Sequence, residues 1–269
     1  MINILQTEFF RLKKSTLFWS LFGVCAVIPL LSVLLNLLGF DLAITVDSGV
    51  EYNKWEVIRS SNITGYTLSA LPNLSGDSLF ALICTSIFLS KEFSDGTFRN
   101  ALLANRSRLE LYLSYLLMSV TIGATYFGAT FVSTLLFNGA IFGLGTMTTA
   151  EFVTACILSM TLGLISVIFL QTLMCLFMFG TRKLAVALAC PLVICIVVPN
   201  MMYSFVETFS ALGLISNTDM TWIPLYNINL LDLTAIDGAL IGKILLYLLP
   251  LSVAFGFLGW VTFRKADLK

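Results

Sequence analysis

The chain has no histidine, and only 11% of its residues carry a charge. Without imidazole, most zinc and haem sites and every histidine general base are removed together. Soluble domains carry about 25% charged residues. A chain this sparse in charge, 58% hydrophobic and with a mean hydropathy of +0.95, is an integral membrane protein. No G-x-x-x-x-G-K-[ST] phosphate loop occurs, so ATP hydrolysis has to come from a separate polypeptide if it is used at all. The six cysteines (Cys25, Cys84, Cys156, Cys175, Cys190, Cys195) all fall inside hydrophobic runs, none at metal-ligand or redox spacing, and read as small buried apolar residues. The first apolar run is too long for a signal-peptide core and no small-residue cleavage pattern follows it, so a cleavable signal peptide is not expected. There is also no internal repeat and no chain of intramembrane acids for a proton relay, which argues against a secondary transporter. An intramembrane protease or lipid-modifying enzyme needs a base or metal at membrane depth, where only one carboxylate is expected.

What the chain does have is long apolar runs. Six spans are expected, at about 17–39, 71–90, 110–136, 152–179, 184–206 and 241–263, each near the roughly 20 residues that cross a bilayer. Asp77 interrupts the second. A helix starting after it would reach only about 20 Å, whereas one starting at Pro72 reaches about 28 Å of the roughly 30 Å core, so the span is expected to contain Asp77. The lysines and arginines fix the orientation. Arg11, Lys13, Lys14, Lys91, Arg99, Arg106, Arg108, Arg182, Lys183, Arg264, Lys265 and Lys269 fall on one side, twelve of the 15 basic residues. The positive-inside rule makes that side cytoplasmic and puts both termini there.

Ahead of the first span, residues 1–16 form an expected interfacial helix. Ile2, Leu5, Phe9 and Leu12 recur at helical spacing, with Glu8, Arg11, Lys13 and Lys14 largely elsewhere on the wheel. On the outer side, residues 41–69 are polar and acidic with Tyr52 and Trp55 as interface anchors. Residues 207–240 mix aspartates with Trp222, Pro224 and Tyr226 and are expected to hold short helices that dip toward the membrane. Gly139-x-x-x-Gly143 and Gly238-x-x-x-Gly242 match a close-packing motif but sit at span ends.

The segment 91–109 carries the function. Asp95-Gly96 is a turn dipeptide, Thr97 an expected N-cap, and a short helix over about 98–104 would put Phe98, Ala101 and Leu102 on one face. Ser107 followed three residues later by Glu110 reads as a capping box opening the third span. The pattern specifies a helix leaving the bilayer, a tight turn, a short surface helix and a new span.

Glu92-Phe93, Gly96-Thr97, Leu102-Leu103 and Ser107-Arg108 together resemble the first cytoplasmic loop of ABC-2 type permeases, the membrane subunits of bacterial ATP-driven exporters. The resemblance implies an all-α membrane protein, a single transmembrane domain over 1–269 with six transmembrane helices. It adds an N-terminal amphipathic interfacial helix, a cytoplasmic coupling helix and short extracellular helices before the last span, in the type V exporter-like fold. It implies residence in a bacterial cytoplasmic membrane (inner or sole), dimerisation with itself or a sister permease, and an ABC ATPase partner that binds ATP and Mg. No cofactor is implied in this chain, and no nucleic acid as partner.

Carried onto this sequence, Glu92, Phe93, Gly96, Thr97, Phe98, Arg99, Leu102, Arg106 and Arg108 would couple to the ATPase, with Glu92 and the arginines making charge-assisted contacts across the interface. A tight turn whose arginines serve topology and lipid phosphates is the plainer reading of the same residues. Family geometry nominates Asn73, Asp77, Asn200, Tyr203 and Phe205 along the substrate route, with Pro199 kinking the fifth span. Asp77 is equally a helix-end residue within reach of outer headgroups. Twenty-two phenylalanines and nine methionines suit an adaptable apolar route for drugs, antimicrobial peptides or lipid-like molecules. An ATP-independent channel or carrier, or a non-transporting immunity or partner subunit of the same fold, is the alternative.

Overall fold

In hydrocarbon each backbone N–H and C=O has to be satisfied within its own segment, so apolar runs of this length fold as helices. The computed structural model describes residues 2–37, 78–103, 107–142, 149–194, 201 and 238–265. Its elements are α1 (Ile2–Lys13), α2 (Thr16–Leu37), α3 (Ser78–Ser94), α4 (Thr97–Leu103), α5 (Arg108–Phe142), α6 (Thr149–Thr181), α7 (Leu184–Leu192) and α8 (Gly238–Lys265). Many serines and threonines inside these helices return their hydroxyls to the preceding turn. Thr130 Oγ1 bonds Tyr126 O at 3.0 Å and Ser252 Oγ bonds Leu248 O at 2.7 Å, which lets them be buried without a partner helix.

Three described helices are long and apolar enough to cross a membrane: Arg108–Phe137, Phe152–Thr181 and Ile241–Lys265. A fourth span is reached if α1 and α2, bent by 68° at their junction, are counted as one broken element. The 22 residues of α2 carry no charge and on their own extend about 33 Å. These four match the expected first, third, fourth and sixth spans. The second and fifth are described only in part, as α3 and α7. The start of the second span with Asn73 and Asp77, the outer segment 41–69, Pro199 and residues 207–237 of the second outer segment lie outside the described residues, while residues 238–240 of that segment already belong to α8.

At 35 residues, α5 is about 52 Å long and must project beyond a core of about 30 Å. It is the central helix and touches α1, α2, α3, α4, α6 and α8, while α8 lies along α6. Ile244 and Leu248 of α8 are fully buried against Leu162, Phe169 and Leu173 of α6. Between α3 and α6, Thr85 Oγ1 lies 3.1 Å from the Gln171 side-chain amide. The Thr85 hydroxyl, which also lies 2.7 Å from Ala81 O, faces Gln171 Oε1 and can donate to it across the helix pair. An interhelical bond of this kind contributes about 0.6 kcal/mol, at most about 1.7.

Glycines set the closest approaches. A Cβ at Gly163 would run into the Phe127 ring, and one at Gly123 would meet Val167 and Gln171. At Gly238 and Gly242, one of the two pairs with motif spacing, a Cβ would meet nothing within 4 Å among the described residues. Replacing Gly163 by valine should therefore overpack the α5–α6 contact and cost about 1–3 kcal/mol, read as a lower midpoint of thermal unfolding in detergent. The same change at Gly128, where a Cβ would meet nothing within 4 Å among the described residues, should leave the midpoint near wild type.

Candidate functional site

Lys91 ends α3, Arg108 starts α5, Arg182 and Lys183 separate α6 from α7, and Arg264 and Lys265 end α8. Antiparallel packing gathers these helix ends at one basic end of the bundle, and the α3–α4 hairpin sits there. Its turn is built on Gly96, at φ +67, in the left-handed region that a residue without Cβ enters freely. Gly96 N–H bonds Phe93 O at 3.3 Å and Asp95 N–H bonds Lys91 O at 2.8 Å, closing α3 with a left-handed glycine cap. The Gly96 carbonyl then accepts the first bond of α4, from Asn100 N–H at 3.0 Å. Gly96 thus ends one helix and begins the next. Thr97, the expected N-cap, is already the first residue of α4 (Thr97–Leu103), while Ala104, the expected last residue, lies outside the described residues. At the far side, Ser107 Oγ accepts from Glu110 N–H at 3.2 Å, the serine half of the expected capping box.

The short helix α4 is seated, not free. Phe98 is only 2% exposed and its ring is surrounded by Phe93 at 4.4 Å, Tyr115 at 4.5 Å, Phe263 at 5.7 Å and Phe179 at 5.9 Å. Those four partners come from α3, α5, α8 and α6. Each aromatic pair contributes about 0.5–1.5 kcal/mol beyond simple burial, so the socket holds α4 by several kcal/mol. The wall is itself fixed: Tyr112 packs on Phe179, and its hydroxyl donates to Gly256 O at 2.6 Å. Ala101 and Leu102 pack inward beside Phe98, as the helical spacing requires. Asn100 and Leu103 face out, Leu103 at 76% exposure.

Beside the socket lies a buried charged cluster that joins three helices. Glu92 of α3 has no exposure, Glu8 of α1 has 4%, and Tyr115 of α5 has 1%. Arg11 of α1 brings Nη1 to 2.6 Å from Glu92 Oε1, an ion pair without the alignment of a good hydrogen bond, and to 3.4 Å from Glu8 Oε2. The Tyr115 hydroxyl lies 3.2 Å from Glu92 Oε2 and 3.3 Å from Glu8 Oε1. Burial and the nearby Glu92 charge push the Glu8 carboxyl above its usual range, more than Arg11 pulls it down. The Glu92 and Glu8 charges raise the Arg11 guanidinium further, despite its partial burial.

Two expectations are corrected here. Glu92 does not face a partner across an interface; it is inside the chain, committed to Arg11 and Tyr115. On α1, Glu8 sits with Leu12 on the buried edge while Phe9 and Phe10 point out at 40% and 59% exposure, so the buried stripe differs from the apolar one. The α1–α2 elbow is held by Trp19 Nε1, which donates to Lys13 O at 2.8 Å, and by Ser15 Oγ, which accepts from Phe18 N–H.

Of the other expected coupling residues, Phe93, Gly96, Thr97 and Leu102 are half-buried within the hairpin. Arg108 is half-buried and donates from Nη1 to Arg264 O at 2.6 Å, tying α5 to the end of α8. The Arg99 side chain and Arg106 lie outside the described residues, as do the pathway candidates Asn73, Asp77, Asn200, Tyr203 and Phe205. Sequence reasoning missed Glu8, Arg11 and Tyr115, which reach Glu92 from other helices. It also missed Asn100 and Leu103, whose outward direction follows from placing Phe98 and Leu102 inward. A second outward feature is the α6–α7 turn, where exposed Arg182 is held at φ 56.

Removing the Arg11 charge should be the most damaging single change in the cluster, because it leaves the buried Glu92 carboxyl without its cation. Losing one partner of a fully buried pair costs about 3–5 kcal/mol, and the partial exposure of Arg11 lowers this to about 2 kcal/mol. Arg11→Met should lower the thermal midpoint in detergent by several degrees, while Glu8→Gln, a neutral side chain of the same shape, should leave it unchanged or raise it.

A family model described as ABC-2 family transporter protein matches residues 4–207, which takes in α1, the elbow, the whole hairpin and α5 to α7. No curated protein and no solved structure matches the chain.

Proposed function

The chain belongs to the ABC-2 family of transporter membrane proteins, and from that premise we propose that it is the permease subunit of an ATP-driven exporter. It is a multi-pass membrane protein, and members of its family work with an ABC ATPase subunit. In this reading the basic end faces the bacterial cytoplasm, two permeases pair, and two ATPase subunits bind ATP and Mg and dock beneath them. The cargo is apolar or amphipathic, a drug, an antimicrobial peptide or a lipid-like molecule, and it moves outward.

The observation that carries the reading is the seating of α4. One face is locked by Phe98 into a socket made by α3, α5, α6 and α8; the other presents Asn100 and the bare Leu103. A short helix gripped from outside and fixed to four others transmits a rigid-body displacement into the bundle. Surface contact with the ATPase is assigned to Asp95, Asn100, Leu103 and the Arg182–Lys183 turn, and Glu92, Phe93, Gly96, Thr97, Phe98, Leu102 and Arg108 act from within by holding the hairpin's shape.

The test is a mild-detergent pull-down of the tagged chain co-expressed with its candidate ATPase, followed by an ATPase assay. Leu103→Glu should fold normally, since the side chain is exposed, yet reduce ATPase recovery at least tenfold. Arg182→Gly should relieve a left-handed backbone that costs a side-chain-bearing residue about 1–2 kcal/mol, raising stability while weakening association. Full ATPase recovery with Leu103→Glu contradicts the docking face. Transport without any ATPase contradicts the reading itself.

A further inference from the structure

In the Glu8–Arg11–Glu92–Tyr115 cluster two buried carboxyls face one guanidinium and one phenol. Arg11 Nη1 is close only to Glu92, at 2.6 Å; its contacts with the two Glu8 oxygens are long, 3.4 and 3.5 Å. Tyr115 lies within hydrogen-bond distance of both carboxyls, but a phenol has a single proton to give. It can bond both only by donating to one and accepting from the other, and a carboxyl that donates is protonated.

We propose that Glu8 is a proton-binding site of the folded chain: near neutral pH it holds a proton and donates it to Tyr115, while Tyr115 donates to Glu92 and Arg11 stands against Glu92 as its counter-charge. The assignment of the proton to Glu8 rather than Glu92 follows from the guanidinium, which lies against Glu92. The charged and titratable groups facing Glu8 are Arg11 on its own helix, Glu92 from α3 and Tyr115 from α5. With the proton in place the cluster is a directed chain, Glu8 to Tyr115 to Glu92, closed by Arg11 and electrically neutral. Without it, two buried carboxylates share one cation and α1 is pushed away from the hairpin joint. The upward shift of the Glu8 carboxyl agrees with this geometry.

The linkage sign follows. A carboxyl whose folded value lies above its unfolded value binds more protons folded than unfolded. Its contribution to stability is full below the unfolded carboxylate range and is lost as pH rises toward the folded value.

The inference does not rest on the transporter reading and is tested on the purified full-length chain in lipid nanodiscs without nucleotide or partner. Infrared spectroscopy in H2O and D2O should find at pH 7 a protonated-carboxyl carbonyl band that is lost in Glu8→Gln and fades in the wild type as pH rises. Tyr115→Phe, which removes the acceptor of the Glu8 proton, should move that band to higher frequency. In thermal unfolding, the wild-type midpoint should fall across the same pH interval and the Glu8→Gln midpoint should stay flatter. Absence of the band at pH 7, or its persistence unchanged in Glu8→Gln, overturns the proposal. Should Glu8→Gln not fold, an unmoved band in Tyr115→Phe overturns it equally.

Discussion

Phe98 has to be buried, and much of the basic end is arranged around that requirement. A large ring on a seven-residue helix, too short to persist alone, gives α4 its position only if something encloses it. The enclosing rings arrive from α3, α5, α6 and α8, which makes the hairpin a point where four long helices meet. Gly96 makes this geometry accessible, since only a residue free to enter the left-handed region lets α3 stop and α4 start within two residues. The Arg11–Glu92 pair then fixes the same joint to α1 at the other edge.

This arrangement divides the hairpin's residues into two kinds. Those with the most distinctive chemistry, Glu92 and Phe98, are turned inward and act on other parts of the same chain. Those turned outward, Asn100 and Leu103, are chemically plain but exposed. In the proposed coupling role, such a helix is a lever whose grip is shallow and whose root is deep. The ion pair contributes little net stability in such a setting, because desolvation offsets much of the attraction. What it supplies is a fixed register between α1 and the hairpin.

Much of this is legible in the sequence itself. The distribution of lysines and arginines anticipated that the ends of α3, α6 and α8 and the start of α5 would gather on one side. Asp95-Gly96 announced the turn, and the spacing of Phe98, Ala101 and Leu102 announced the buried face of α4. The N-cap was misplaced by one residue because Gly96 serves both helices, a dual use that propensity rules assign to neither. The burial of Glu92 was not legible, since its partners Arg11 and Tyr115 lie on other helices and no local pattern connects them. For the same reason Glu8 read as a polar-face residue of α1: an amphipathic wheel assumes that charges face water, and here one faces two other helices.

The central claim is that α1, the α3–α4 hairpin and the basic end of α5 move as one body. The most direct measurement is a spin-label distance between Phe10 on α1 and Asn100 on α4, both exposed. It is made by pulsed electron paramagnetic resonance in a background with the native cysteines replaced, and compared with and without ATP in the assembled transporter. The account predicts a single narrow distribution that nucleotide leaves in place. A distance that shifts by several ångströms between nucleotide states would show that the hairpin swings independently of α1, and would contradict it.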